Sequence, residues 1–521
     1  MAYGLTPISN SGNQYQNLSS QSSWWCLEHG AWTLEPGAWS LEPERMLKMI
    51  KLIARKEFTE MLRDGRFRLA AAIVLVLLLA SLLMGGQHYR ELKRQHELAQ
   101  AETREQWLRQ PAKNPHSAAH YGVYAFKPRM LPSMLDRGID SFVGQSVWLE
   151  AHKQNEFKYR PAQDSTAVQR FGELTASTVL QLLIPLLIIL LSFSTFAGER
   201  EQGTLRQLIS VGVRQSDLVW GKALGVSGAL GLLLLPATII GVSALLLASG
   251  GALPGASLSR LAWMSIGYLL YFGLFIGLSL TVSARASSAQ MALVLLLGFW
   301  VINGVIAPRA VADIGRRLYP TPSAFSFQQT IDREMQSGPD GHDSADKRTT
   351  ALRERVLKQY GVDRVEALPI NFAGLSLQES EEHGNLVFDR HYGDLWSRFE
   401  QQNRLKWWTG LLAPMMAMQS FSMGLAGTDM FHHQDFAAAA ESYRRMLIRK
   451  MNDDLTYNAV QKDFSYQAQP DLWQTVDEFR YQAPSTRIAL IRQRTSLAIL
   501  ATWCLTSLGV AILFARRMKV D

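Results

Sequence analysis

The chain reads Glu199-Arg200-Glu201-Gln202-Gly203-Thr204-Leu205 just after a long apolar run, and the reading of that stretch decides the fold. The run before it, Thr178 to Phe196, is long enough to cross a bilayer, and the next begins near Leu224. The stretch therefore belongs to a short loop at one membrane face. Leu205, Leu208 and Ile209 share one face of a short predicted helix opened by Thr204, and Gly203 lets the chain turn out of the preceding helix. Ser216-Asp217 is expected to N-cap the helix that enters the next apolar run. The product is a stubby amphipathic knob without catalytic groups, which predicts a protein partner with a matching socket.

Outward from the knob, apolar residues come in blocks. The sequence has 521 residues, net charge +8 and 47% hydrophobic residues, figures that would fit a soluble enzyme if the apolar residues were evenly spread. Cys26 and Cys504 are the only cysteines, and Cys504 lies in an apolar run, so no disulfide framework is expected. Basic residues gather at Lys48 to Arg68, Arg200 to Lys222, Arg285, and Arg516 to Lys519, the places an even number of crossings leaves on the cytoplasmic side. The charge thus calls for no nucleic acid.

Taken in order, residues 1–45 read as a leader that is disordered or foreign to the native protein, with Trp25, Trp32 and Trp39 recurring every seven residues among Gly and Pro. Residues 46–66 form a basic amphipathic helix suited to lipid headgroups, with Ile50, Ile53, Phe58, Met61 and Leu62 on its apolar side. Six crossings are expected at 67–86, 178–197, 224–247, 261–282, 288–308 and 494–515. The cytoplasmic loop occupies 198–223, long extracytoplasmic segments occupy 87–177 and 309–493, and 516–521 is a cytoplasmic tail. The second crossing should bend near Pro185, and Gly221, Gly225, Gly228 and Gly231 should let a neighbouring helix approach the third. The fold class is mainly α: a polytopic membrane protein with about six crossings and a sizeable extracytoplasmic domain built from two insertions. Trp107, Tyr121, Phe126, Trp148, Phe325, Trp396, Trp407 and Trp408 argue that this domain is folded.

Apart from Arg68 and Arg494 at their outermost ends, the predicted crossings hold Gln181, Gln290, Asn303 and hydroxyls but no ionisable residue, which disfavours a proton-driven carrier. Nor does the chain carry a Gly-x-x-x-x-Gly-Lys-Ser/Thr loop, so ATP hydrolysis, if used, belongs to another chain.

With Leu208, Arg214 and Gly221-Lys222, the run Glu199-Arg200-Glu201-x-Gly203-Thr204-Leu205 resembles the permease subunit of type-2 ABC exporters. The resemblance implies a coupling helix, with Glu199, Arg200, Glu201, Gly203, Thr204, Leu205, Leu208 and Ile209 engaging a separate ATPase subunit present in two copies. It implies ATP and magnesium in that subunit, no cofactor and no enzymatic activity in this chain, and a second permease, identical or paralogous. Arg206 and Gly212 stand where many members have an acidic residue and a proline, departures that bear on which ATPase is bound. Pro115 to Gly122, Leu135 to Gly138, Leu149 to Asn155 and Leu425 to Asp429 resemble a bacterial subfamily of enlarged permeases grouped with those of multi-copper enzyme maturation. That implies the bacterial inner membrane, both termini in the cytoplasm, contact with lipid and scope for a periplasmic partner. A rival expectation is a mechanical or assembly factor that passes cytoplasmic ATP hydrolysis to such a partner.

Candidate metal ligands fall in the long segments. His116 and His120 would share a helix face, and Asp429, His432 and His433 follow the methionines Met415, Met416, Met418 and Met423, a donor mixture that would suit copper. Against this, methionines at helical spacing more often fill a core. His96-Glu97-Leu98-Ala99-Gln100 begins like a zinc-peptidase helix but has Gln100 at the second ligand position.

Overall fold

The computed structural model describes residues 38–160, 174–251, 253–337, 345–459 and 463–518, so Trp25, Trp32 and His342 lie outside the described residues. Two compact units divide the chain, Met1–Lys48 and Met49–Asp521. A helix runs Ala38–Arg63, starting earlier than the expected residue 46.

Six helices are long and apolar enough to cross a membrane: Gly65–Leu108, Ala176–Glu201, Gln215–Ala248, Gly255–Arg285, Ala289–Leu318 and Thr486–Arg516, here called spans one to six. Span one opens on Asp64, whose carboxylate accepts from Arg66 N at 2.8 Å. It is one unbroken helix of 44 residues, about 66 Å at 1.5 Å per residue, roughly twice the hydrocarbon thickness. Its far half therefore continues well beyond the apolar layer.

Span two contains a π-helical turn, Val179–Leu183, immediately before Pro185. Proline has no N–H to return to the carbonyl four residues back, which here is Gln181. The Tyr271 hydroxyl donates to that carbonyl at 3.1 Å, and Trp300 Nε1 donates to the next, Leu182 O, at 2.9 Å. Span five has a matching wide turn at Ile302–Ile306 ahead of Pro308. Its buried Asn303 donates to Tyr271 Oη at 3.4 Å and accepts from Met415 N at 3.0 Å. Asn303 and Gln181 are thus joined through Tyr271, which satisfies polar groups that would be costly alone in an apolar core.

The two long inter-span segments share one core. Strands Val123–Phe126, Ser146–Glu150 and Lys153–Gln154 form an antiparallel sheet in that order, with Val123 opposite Leu149 and Phe126 opposite Ser146. Alternation puts Val123, Ala125, Val147 and Leu149 in one buried cluster with Phe436, Leu447, Ile448 and Met451 of the helix Met430–Tyr457. Trp107, at the end of span one, donates to Trp473 O at 3.0 Å, and Trp473 donates to Gln110 O at 3.1 Å. The C-terminal half of span one is therefore part of this domain.

One element departs from the sequence expectation. The helix Pro414–Ala426, read as part of the external segment, packs into the span bundle: Met415, Met418, Phe421 and Leu425 share its core cluster. Apolar on nearly every side, it is buried on nearly every side. At 13 residues, about 20 Å, it is too short to cross a bilayer. It closes one end of the bundle, where Phe421 occupies the space beside Gly267 and the buried Arg260 donates to Gly424 O and Leu425 O at 3.3 and 3.1 Å. Met415 and Met418 are packing groups of the bundle core.

Candidate coupling site

Gly203 takes φ +73°, a left-handed conformation that ends span two and opens the short helix Thr204–Ser210. Thr204 does not cap that helix; its hydroxyl reaches back to Glu199 O at 3.2 Å. Ser216 and Asp217 fall inside the next helix, which begins at Gln215 after Arg214 and has no side-chain cap. None of the three side chains takes the expected capping role, and Ser216 Oγ donates to the neighbouring Asp217 at 3.3 Å.

The three residues before the turn each bind a different part of the bundle. Glu199 accepts from Lys56 and from Lys222, each at 3.0 Å, and Lys222 also reaches Glu57 at 2.8 Å. Lys222 is 1% exposed, with its ammonium 5.2 Å from the centre of the Phe196 ring. Two acids and two bases here cancel, the condition under which buried charges are tolerated. Burial works against the charged form of Lys56, but its hydrogen bond to Glu199 and the nearby carboxylates outweigh this and raise its pKa above the usual lysine value.

Arg200 donates to Ala286 O at 2.6 Å and Ala284 O at 2.5 Å, satisfying carbonyls at the C-terminal end of span four. Glu201 accepts from Ala289 N at 3.0 Å, placing negative charge at the N-terminus of span five. Where span two loosens before this run, the Ser283 hydroxyl accepts from Phe196 N and Ala197 N at 3.0 and 3.1 Å. Six consecutive residues thus join the helix at 49–63 and spans three, four and five.

The glycines of span three explain how Glu57 reaches Lys222. A Cβ at Gly221 would lie 2.5 Å from the Ile53 side chain, one at Gly225 2.6 Å from Glu57 Cβ, and one at Gly228 3.3 Å from Phe58. The stripe is the seat of the amphipathic helix. Gly231 has open space beside it.

The apolar face of the short helix is not held out for a partner, contrary to the sequence expectation. Leu205 is 2% exposed within the bundle core, and Leu208 and Ile209 are half-buried against it. The outward groups are Arg206, Gln207, Ser210 and Val211, the last 82% exposed. Beside them opens a cleft of about 1050 Å³ bordered by Lys56, Glu60, Leu187, Glu199, Gln207 and Leu293.

Lys56, Glu57 and Ser283 were not among the expected site residues. Glu57 left a trace: it follows Ile50 and Ile53 on the helix's apolar stripe, where an acid needs a buried partner.

Of the candidate metal ligands, the structure unites His116 and His120 with His152, which spacing alone did not single out. Asp429, His432 and His433 do not join them. His432 Nδ1 pairs with Asp429 at 2.6 Å, and His433 lies against the Phe157 and Trp396 rings. Among the described residues, His116, His120 and His152 form the one set of three such groups close enough to share an ion.

Residues 52–355 match the family described as ABC-2 family transporter protein. The chain belongs to the ABC-2 transporter family. The ABC-2 match takes in spans one to five and the whole stretch Phe196–Ser210, and with six apolar helices it makes this a multi-pass membrane protein. Residues 324–482 of this ABC-2 protein match a domain of unknown function, DUF3526. Over 122 residues it is 34% identical to the probable ABC transporter permease protein NosY of Pseudomonas aeruginosa. That similarity spans 23% of this chain and 43% of the relative.

Proposed function

We propose that this ABC-2 protein is the permease subunit of an ATP-driven exporter in a bacterial inner membrane, paired with a second permease and served by two copies of a separate ATPase. The carrying observation is the run Phe196–Glu201: a load on the helix Thr204–Ser210 passes through Glu199, Arg200 and Glu201 to the amphipathic helix and to spans three, four and five together. ATP-driven closure of the ATPases would tilt these elements as a set and switch the access of a cavity between the two permeases.

Docking falls to the outward tip of the short helix. Arg206→Glu combined with Val211→Asp changes only exposed groups, so the protein should insert and elute as wild type while co-purification with its ABC ATPase falls at least tenfold. An unchanged yield of complex would defeat the docking assignment.

The proposed orientation puts both termini and the coupling helix in the cytoplasm and the shared domain outside. With Cys26 and Cys504 replaced, an impermeant maleimide applied to intact spheroplasts should label Ser117→Cys and Asp394→Cys, both exposed positions of the domain, and leave Ser210→Cys unlabelled until the membrane is opened. Labelling of Ser210→Cys from outside would invert the topology.

Span one favours a second reading. A helix of 44 residues with Trp107 locked into the outer domain can carry movement from the bundle to that domain whether or not cargo crosses. ATP-dependent movement of the domain without flux in proteoliposomes would select this mechanical role over export.

A further inference from the structure

The outer domain brings three imidazoles together, two of them held at Nδ1 by hydrogen bonds. Asn114 caps the helix Pro115–Tyr121 by accepting from His116 N, and His116 and His120 stand one turn apart on one face. His152 comes from the turn between the second and third strands, where it takes φ +64°, a left-handed conformation a non-glycine residue rarely adopts. The three ring centroids are 4.8, 4.9 and 5.0 Å apart.

Hydrogen bonds behind the rings decide which nitrogens carry protons. The Glu382 carboxylate can only accept, so Gln378 turns its NH2 toward it at 3.1 Å and offers its oxygen to Asn452 Nδ2 at 3.2 Å. Asn452 Oδ1 then faces His116 Nδ1 at 3.1 Å, which puts the proton on Nδ1 and leaves Nε2 bare. His152 Nδ1 lies 2.7 Å from Glu381 Oε1, which also accepts from His152 N at 2.7 Å, so its Nδ1 carries a proton and its Nε2 points into the cluster. Glu381 is buried and held in turn by Arg444 at 3.3 Å.

His116 Nε2 faces His152 Nε2 at 3.1 Å, a contact that needs either a proton on His152 Nε2 or a cation between the two nitrogens. Tetrahedral zinc at about 2.0–2.1 Å from each nitrogen would space its ligands by roughly 3.3 Å. Carboxylate and amide partners on the far ring nitrogens are the usual outer support of metal-binding histidines. Three imidazoles without thiolate or thioether suit a borderline divalent ion, and Met415 and Met418 belong to the span-bundle core instead. His120 is exposed and His152 partly so, which leaves a solvent-facing fourth position.

We propose that His116, His120 and His152 bind one zinc-class divalent cation with an open fourth position. The ion joins the helix Pro115–Tyr121 to the strand turn, whose histidines are themselves held by Asn452 of the helix Met430–Tyr457 and Glu381 of the helix Phe372–Thr409. The fourth position takes water or one ligand from an incoming molecule. This assignment stands independently of the ATPase and export readings.

The test is stoichiometric titration of the full-length protein in detergent with Zn2+ against a chromophoric chelator, and with Co2+ read by its visible absorption. Wild type should take up one equivalent, with the intense absorption of four-coordinate cobalt. His120→Ala, a change at an exposed side chain, should weaken binding at least 100-fold without altering the melting temperature of the metal-free protein. Glu381 acts as a positioning residue, so Glu381→Gln should weaken binding by about 10- to 100-fold and keep the four-coordinate spectrum. Full affinity in His120→Ala, absence of stoichiometric Zn2+ or Co2+ uptake, or uptake of Cu(I) alone would each overturn the proposal.

Discussion

Lys222→Met is expected to destabilise the protein by about 3–5 kcal/mol, the usual penalty for removing one partner of a buried ion pair. The ammonium is 1% exposed and lies 2.8 Å from Glu57 and 3.0 Å from Glu199. Without it, two carboxylates face each other in a poorly hydrated site with Lys56 as the remaining local cation. Lys56 sits at the site's exposed margin and cannot replace what Lys222 supplies to Glu57. The expected readout is a clear fall in melting temperature by fluorescence-detected size exclusion, with much of the loss restored in Lys222→Met/Glu57→Gln, where the surplus negative charge is gone. A single variant as stable as wild type, or a double variant worse than the single, would show that the four charges do not act as a unit.

Gly225→Leu should displace the amphipathic helix from span three. Even the first carbon of a side chain there would lie 2.6 Å from Glu57 Cβ and 3.1 Å from Ala54 O, and a backbone atom cannot swing aside as a side-chain tip can. In a background without Cys26 and Cys504, Ile53→Cys reports the event, because Ile53 is 7% exposed under the glycine stripe. Its maleimide reactivity should rise at least tenfold in Gly225→Leu. Gly231→Leu, on the same helix beside open space, should leave the reactivity unchanged. Equal reactivity in both would mean that the glycines are not the seat of the helix.

The sequence was most legible where one physical signal dominates. Apolar length marked the six crossings, and Gly203 marked the turn because few other residues accept its backbone angle. What stayed hidden depends on partners far apart in the chain. Leu205 looks like an exposed knob residue by periodicity, yet it packs into the core of its own bundle, and no local pattern distinguishes those two fates. The helix Pro414–Ala426 was misplaced because its length is below that of a crossing, while its burial comes from Gly267 and Arg260 on span four. His152 joins His116 and His120 only through the pairing of two strands and an unusual backbone angle. Glu57 was readable in principle as an acid on an apolar stripe, but its partner Lys222 lies 165 residues away.

The wide turn at Val179–Leu183 bears on how the coupling run finds its contacts. An α-helix advances about 100° of azimuth per residue, and a single π-turn absorbs one residue beyond the regular repeat. Span two therefore carries a phase correction between its two ends. Its upstream end is set by the Thr175 cap, and its downstream end must aim Phe196 and Ala197 at Ser283 and Arg200 at Ala286. Were the turn to tighten into regular α-helix with every residue retained, the downstream half would rotate by about 100° and point those groups away from span four. The angular setting of the coupling run is thus written more than two helical turns upstream of it, at the bulge beside Pro185.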